Sequence, residues 1–326
     1  MDWHSNFMNE KKIRKRMASY DPDVVVSVHP AMNYTPLKSL RKIAKSSGKH
    51  IPFFTVVTDL GSGHCTWFHK TVDRLYLASE RLRKLAKRRG RTPDDRIVMS
   101  GLPIRRDFAV QAEKLGDRMS AQGQAYCSKM KAELGLNPDC PMILVMGGGE
   151  GVGSLSKIVD ELYTSFCKRG INATVCVICG RKEKLRTELA TKNWSNVAER
   201  KQRVRRSSLI PLFGQRRKSK AVKKALKQRK ESPVPGKVAV VGLGFVTKMA
   251  GYMAAADILV TKAGPGSIAE AASLGLPVML TSFLPGQEAG NVKYVIENSF
   301  GDYCKDPVVI AEEVAKWLQD LVRMKG

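Results

Sequence analysis

Short apolar runs rich in β-branched residues recur along the chain, at 23–28, 53–58, 96–99, 142–146, 174–179, 237–241, 258–261 and 278–281. Most are continuous rather than alternating, the pattern of strands covered on both faces. Stretches with charged faces lie between them at 36–45, 80–89, 156–168, 182–192 and 267–274. Strand and helix patterns in alternation predict an α/β fold built on parallel sheets flanked by helices.

The alternation breaks once. Residues 108–129 are polar and end no clear strand, and 134–141 then turn into a new one. This predicts a first domain over 1–120 and a second over 121–326, a division that suits the 326-residue length. The first domain offers three strands, few for a doubly wound sheet, and reads as incomplete. The longest apolar runs are strand-sized, so no membrane-spanning helix is predicted. The charged first twenty residues carry neither a signal-peptide pattern nor a visible plastid transit peptide.

Charge changes the picture more than composition does. The formal net charge of +26 implies a polyanionic partner: nucleic acid, an anionic membrane or a phosphorylated substrate. Fourteen Lys and Arg, with no Asp or Glu, fall within 200–230, and Ser-Pro-Val-Pro-Gly follows at 232–236. The stretch at about 200–236 reads as a basic surface insertion. Its single aromatic residue, Phe213, argues against a nucleic-acid surface. Seven cysteines make no disulfide framework and fit a reducing compartment. Cys176 and Cys179 sit in a strand pattern and read as buried rather than as a redox or metal pair. No metal-binding motif is predicted.

Three elements of the second domain carry chemistry. Met146-Gly-Gly-Gly-Glu-Gly151 joins a strand to a helix, either as a tight turn or as a phosphate cradle. It is neither a Walker loop nor the dinucleotide fingerprint. Asp257 to Pro277 reads as strand, Gly264-Pro-Gly266 turn, helix and strand, with Gly264, Gly266 and Ser267 where a diphosphate meets a helix start. Glu270 follows one turn later, as an acceptor for a ribose diol or as the acid of a Ser267-x-x-Glu270 capping box. Gln287 and Glu288, with Asn291 beyond them, offer the planar groups that read sugar hydroxyls, or form an ordinary polar loop. All three follow strands, where open α/β sheets bind ligands, and together they describe a nucleotide-diphosphate-sugar site.

Further motifs join these: Val26-Ser-Val-His-Pro30, Thr58-Asp-Leu60, Thr66-Trp-Phe-His-Lys70, Gly101-Leu-Pro103, Gly244-Phe-Val-Thr-Lys-Met249, Thr261-Lys-Ala-Gly-Pro-Gly266 and Gly286-Gln-Glu-Ala-Gly-Asn291. As a set they resemble the monogalactosyldiacylglycerol synthases of plants and algae, relatives of the bacterial peptidoglycan N-acetylglucosaminyltransferase. The resemblance runs from Trp3 to Trp317 apart from the basic insertion. It implies a GT-B fold, two Rossmann-like lobes facing a cleft, and inverting transfer of galactose from UDP-galactose to the sn-3 hydroxyl of diacylglycerol. No cofactor is implied beyond that co-substrate. The implied setting is the plastid envelope, with the chain peripheral on an anionic lipid surface and no nucleic-acid partner.

Carried over motif by motif, the resemblance implies donor contacts from Gly148, Gly149, Glu150 and Gly151, and from Gly264, Pro265, Gly266 and Ser267, on the phosphates. Lys262 would neutralise the diphosphate, unless it is a strand-end surface lysine. Phe245 and Val246 would hold uracil, Glu270 the ribose, and Gln287, Glu288 and Asn291 complete the donor set around galactose. His29, Pro30, Trp67, His69 and Arg105 would line the acceptor side, His69 being alternatively a core or solvated histidine. Family members begin with a strand and a Gly-Gly-Gly-His loop whose histidine is the implied base. This chain starts after that loop and lacks the family's C-terminal helix that crosses back to the first lobe, so both termini read as incomplete, and His29 and His69 are the candidate bases present. It also has Pro103-Ile-Arg-Arg106 where the family shows Pro-Val-Arg-Pro. The rival expectations are a catalytically impaired UDP-sugar-binding protein and a basic nucleic-acid-binding protein.

Overall fold

The computed structural model describes residues 3–147, 152–197 and 236–325. Two compact units emerge. One comprises Met1–Arg106, Ala263–Glu270 and Phe283–Asp302, the other Asp107–Lys262, Ala271–Ser282 and Tyr303–Gly326.

The first unit carries α1 (Trp3–Tyr20), β1 (Val25–Ser27), α2 (Tyr34–Ser47), β2 (Phe53–Val56), β3 (Arg74–Leu77), α3 (Glu80–Leu85) and β4 (Ile97–Met99). Its sheet has the order β1-β2-β3-β4 with every pairing parallel. The core gathers Leu37, Phe53, Trp67, Leu75, Leu77 and Leu82. Buried Glu10 fastens α1 to α2, accepting from Lys42 Nζ at 2.6 Å and Ser39 Oγ at 3.2 Å, and also from Arg14 of its own helix. The Lys42 hydrogen bond holds the Glu10 carboxyl below its ordinary value. Four strands stand where the sequence shows three. The extra one, β3, alternates exposed and buried positions instead of forming a continuous apolar run.

The second unit carries α4 (Arg106–Leu115), α5 (Ala121–Glu133), β5 (Met142–Met146), α6 (Val152–Arg169), β6 (Ala173–Ile178), α7 (Glu183–Thr191), β7 (Val238–Leu243), α8 (Met249–Ala255), β8 (Ile258–Lys262), α9 (Pro265–Ser273), β9 (Val278–Ser282), β10 (Gly301–Tyr303) and α11 (Pro307–Lys325), with α9 and β10 divided between the two units, while α10 (Ala289–Glu297), between β9 and β10 in the chain, belongs to the first. Its sheet has the order β10-β9-β8-β5-β6-β7. The chain lays β5, β6 and β7 outward, then returns to place β8 on the other side of β5. That reversal is a topological switch point, where doubly wound sheets bind ligands beyond the strand C-termini.

Two helices occupy 106–133, the stretch whose polarity reads as a boundary. The reason shows in α5, whose buried positions are Gly123, Cys127 and Lys131. Lys131 is a core residue because its Nζ meets Asp257 Oδ2 at 2.8 Å and the Cys140 carbonyl at 3.0 Å. Asp257 Oδ2 also accepts from the Met142 N–H at 2.8 Å, which ties the pair to the start of β5. Arg118, between α4 and α5, donates to the carbonyls of Met253, Ala254, Ala256 and Leu274. Cys176 and Cys179 are buried, as the strand reading requires, and burial pushes the Cys176 thiol up to about 12.

Candidate functional site

β8 ends at Lys262, and Ala263 and Gly264 lead directly into α9. Pro265 occupies the first helical position, where its fixed φ suits the helix and its missing N–H costs nothing. The Ile268 N–H closes the first turn on the Gly264 carbonyl at 3.1 Å. Gly266 is exposed, with open space where a side chain would stand, so an anion has free approach to the turn. Because the helix begins at Pro265, Ser267 lies inside it at the third position rather than at the cap. The capping-box alternative for Glu270 therefore fails on geometry.

Glu270 has a different partner. Its side chain is 10% exposed and forms a bidentate pair with Arg105, Nε to Oε1 at 2.7 Å and Nη2 to Oε2 at 2.9 Å. Arg105, assigned by resemblance to the acceptor side, thus meets the residue assigned to ribose. A carboxylate offers about four lone-pair sites, more than one bidentate pair uses. Phe245 stands 73% exposed in the loop after β7, with Val246 beside it. Gly148, Gly149, Glu150, Gly151 and the basic stretch at 200–235 lie outside the described residues.

The turn after β9 is held by its own side chains. Glu288 is 7% exposed, and its Oε2 accepts from the Leu284 N–H at 2.7 Å. The Gln287 residue is exposed, while its carbonyl accepts from Ser62 Oγ at 2.7 Å. Asn291, assigned to the donor set, is fully buried. Its Nδ2 donates to the Ala263 carbonyl at 3.1 Å, and its Oδ1 accepts from the Leu60 and Gly61 N–H groups at 3.2 Å each. With its amide committed to the backbone, Asn291 does not present itself to a sugar.

One acceptor-side assignment needs correction, and two others show local partners. Trp67 is 1% exposed and belongs to the core, where its Nε1 donates to Asp59 Oδ2 at 2.8 Å. So buried a ring lines no surface. His29 is exposed, and its Nδ1 accepts from the Ala31 N–H at 3.2 Å, capping the short turn that begins at Pro30. His69 Nδ1 accepts from the Thr71 N–H at 3.2 Å. Burial, with Arg41 and Lys70 nearby, lowers the His69 pKa. The sequence reading passed over Asp59, although it sits in the quoted Thr58-Asp-Leu60 motif just after β2. Burial raises its pKa, with the Glu288 carboxylate adding to the rise and the Trp67 hydrogen bond opposing it.

Comparison with known proteins places this geometry. Residues 3–104 match the family model for monogalactosyldiacylglycerol synthase, and residues 193–325 match that of the glycosyltransferase family 28 C-terminal domain. The chain is similar to monogalactosyldiacylglycerol synthases over nearly its whole length. It is 36% identical over 310 residues to a probable chloroplastic monogalactosyldiacylglycerol synthase of Glycine max, covering 94% of this chain and 48% of that protein. It is 34% identical over 311 residues to monogalactosyldiacylglycerol synthase 1 of Arabidopsis thaliana, with 94% and 48% covered. The chain thus spans about half the length of the curated relatives it matches. Among solved structures, MurG of Acinetobacter baumannii superposes with a TM-score of 0.55 at 12% identity, covering 97% of this chain and 72% of that one. The UDP-GlcNAc 2-epimerase of Neisseria meningitidis, solved with UDP-GlcNAc, gives 0.56 at 12% identity, covering 98% and 74%. At that identity the likeness shows the fold alone, the α/β GT-B architecture. Among the described residues no helix is long and apolar enough to cross a membrane, and no group of His, Cys, Asp or Glu could hold a metal ion.

Proposed function

We propose that the chain is an inverting galactosyltransferase that moves galactose from UDP-galactose to the sn-3 hydroxyl of 1,2-diacylglycerol. The observation that carries the reading is the Gly264–Ser267 helix start, exposed at Gly266 and followed one turn later by buried, bidentate-held Glu270, on a chain similar to this family. In this reading the diphosphate meets the start of α9 with Lys262 nearby, Glu270 accepts from the ribose diol, and Phe245 and Val246 carry uracil. Gln287 and Glu288 meet the hexose.

The step is a single displacement. The acceptor oxygen bonds to the anomeric carbon from one face, the carbon–phosphate oxygen bond breaks on the other, and UDP leaves with the electron pair. The hydroxyl proton passes to a base. The charge growing on UDP is stabilised by the helix start and Lys262, and no further cofactor is invoked. Both donor and acceptor are anionic or membrane-bound, which accounts for the +26 charge. We place the protein peripherally at the plastid envelope, in keeping with the relatives named chloroplastic.

The test is galactose transfer by the purified chain from labelled UDP-galactose to diacylglycerol in mixed micelles, with the anomeric configuration read by NMR. β-Linked monogalactosyldiacylglycerol supports the proposal. UDP binding without glycolipid product would replace it with the UDP-sugar-binding reading.

A further inference from the structure

Asn291 is a side chain the donor assignment does not use in the way expected. It lies fully buried at the start of α10, with its amide nitrogen on the Ala263 carbonyl and its amide oxygen on two successive N–H groups, Leu60 and Gly61. Beside it Ser62 Oγ donates to the Gln287 carbonyl at 2.7 Å and accepts from the Gly290 N–H at 3.3 Å. Between these bonds the backbones of Gly61 and Gly290 touch so closely that a Cβ on Gly61 would overlap the Gly290 carbonyl, and one on Gly290 would overlap the Gly61–Ser62 peptide. All of these residues belong to the first unit. The loop after β2 is therefore stitched to the turn that carries Gln287 and Glu288 at three adjacent points, two of them polar and one steric.

We infer that Asn291, Gly61 and Ser62 form a positioning clamp that sets the pose of Gln287 and Glu288 and thereby the choice of sugar epimer. The inference rests on the reading above that those two residues meet the hexose. Glucose and galactose differ only in the direction of one hydroxyl. A site distinguishes them by hydrogen-bonding groups held in place, because a misdirected hydroxyl leaves a buried polar partner unsatisfied. Glu288 steadies the turn from within through the Leu284 N–H. The clamp steadies it from outside, at the carbonyl of Gln287 itself.

The test measures the affinities of UDP, UDP-galactose and UDP-glucose by calorimetry on the full chain and on Asn291→Ala, Ser62→Ala and Ser62→Thr. Ser62→Ala touches a loop rather than a core position and keeps the test open if Asn291→Ala does not fold. The expected result is a preference of the wild type for UDP-galactose that falls about fivefold or more in both alanine variants, because loosened polar groups no longer discriminate. UDP affinity and cooperative melting stay as in the wild type, and Ser62→Thr, which keeps the hydroxyl, restores the preference. An unchanged preference in folded variants overturns the clamp. So does a parallel loss of UDP affinity, which marks general structural damage. A wild type with no preference between the epimers overturns the sugar reading of Gln287 and Glu288 first, before any variant is compared.

Discussion

Glu270→Ala separates a ribose-binding carboxylate from a mere ion-pair partner. In the wild type both oxygens face Arg105 at 2.7 and 2.9 Å, yet the arginine side chain is 61% exposed while that of Glu270 is 10% exposed. Losing the pair leaves an arginine that water can hydrate, and a pair this exposed on one side contributes about 0–1 kcal/mol to stability. The fold should survive. Losing the ribose contact is another matter, because hydrogen bonds to a charged group are each worth about 1.5–3 kcal/mol. At 1.4 kcal/mol per tenfold, the expected loss in UDP affinity is roughly 10- to 150-fold. The assay is calorimetry with UDP and 2′-deoxy-UDP. Wild type should favour UDP, and the variant should bind the two alike, since the carboxylate that read the diol is gone. Arg105→Ala should keep the preference while weakening both ligands modestly. If Glu270→Ala still prefers UDP to its deoxy analogue by the wild-type margin, the ribose assignment is wrong and Arg105 is the residue that Glu270 serves.

Removing Lys131 strands Asp257 in an interior where both side chains are 6% exposed, so Lys131→Ala should cost about 3–5 kcal/mol in urea unfolding; a loss under about 1 kcal/mol would mean the pair is not formed. Asp59 has a folded pKa raised chiefly by burial, so the folded state binds its proton more tightly than the unfolded chain. Its stabilisation is complete below the unfolded value, about pH 3.9, and is lost as pH rises through the folded one. Asp59→Asn should therefore gain stability relative to wild type as the solution is taken from pH 4 toward neutrality, and a difference that does not vary with pH would contradict the burial argument. Deleting 200–230 should cut sedimentation with phosphatidylglycerol vesicles at low salt, each basic residue near the surface being worth about 1 kcal/mol, and leave UDP binding intact. Equal sedimentation with and without the segment would remove its membrane role.

The fold was legible where burial on both faces makes a strand continuously apolar, as in Met142–Met146 and Ala173–Ile178. It was illegible where one charge is buried on purpose. Lys131 breaks the apolar stripe of its helix, and the partner that makes it a core residue, Asp257, lies 126 positions along the chain. The site divides in the same way. Gly264, Pro265 and Gly266 announce a helix start because local backbone chemistry demands those residues. The Arg105–Glu270 pair spans 165 positions and the Asn291–Leu60 bond 231, and no local pattern encodes either. Trp67 goes to the acceptor side by resemblance alone, and only packing shows that the ring belongs to the core.

Arg118 has a consequence for dynamics. One guanidinium holds the carbonyls of Met253, Ala254 and Ala256 at the end of α8 and that of Leu274 just past α9. These two helix ends share one guanidinium, its Nε on Leu274 and its Nη1 and Nη2 on the other three carbonyls, so a displacement of that side chain loosens both. Amide hydrogen exchange should accordingly report 249–256 and 271–276 opening together, as one cooperative unit with one free energy, rather than as two independent helices. The loop that precedes α8 carries Phe245, and α9 carries Glu270. A ligand that protects one of these helix ends from exchange should then protect the other as well.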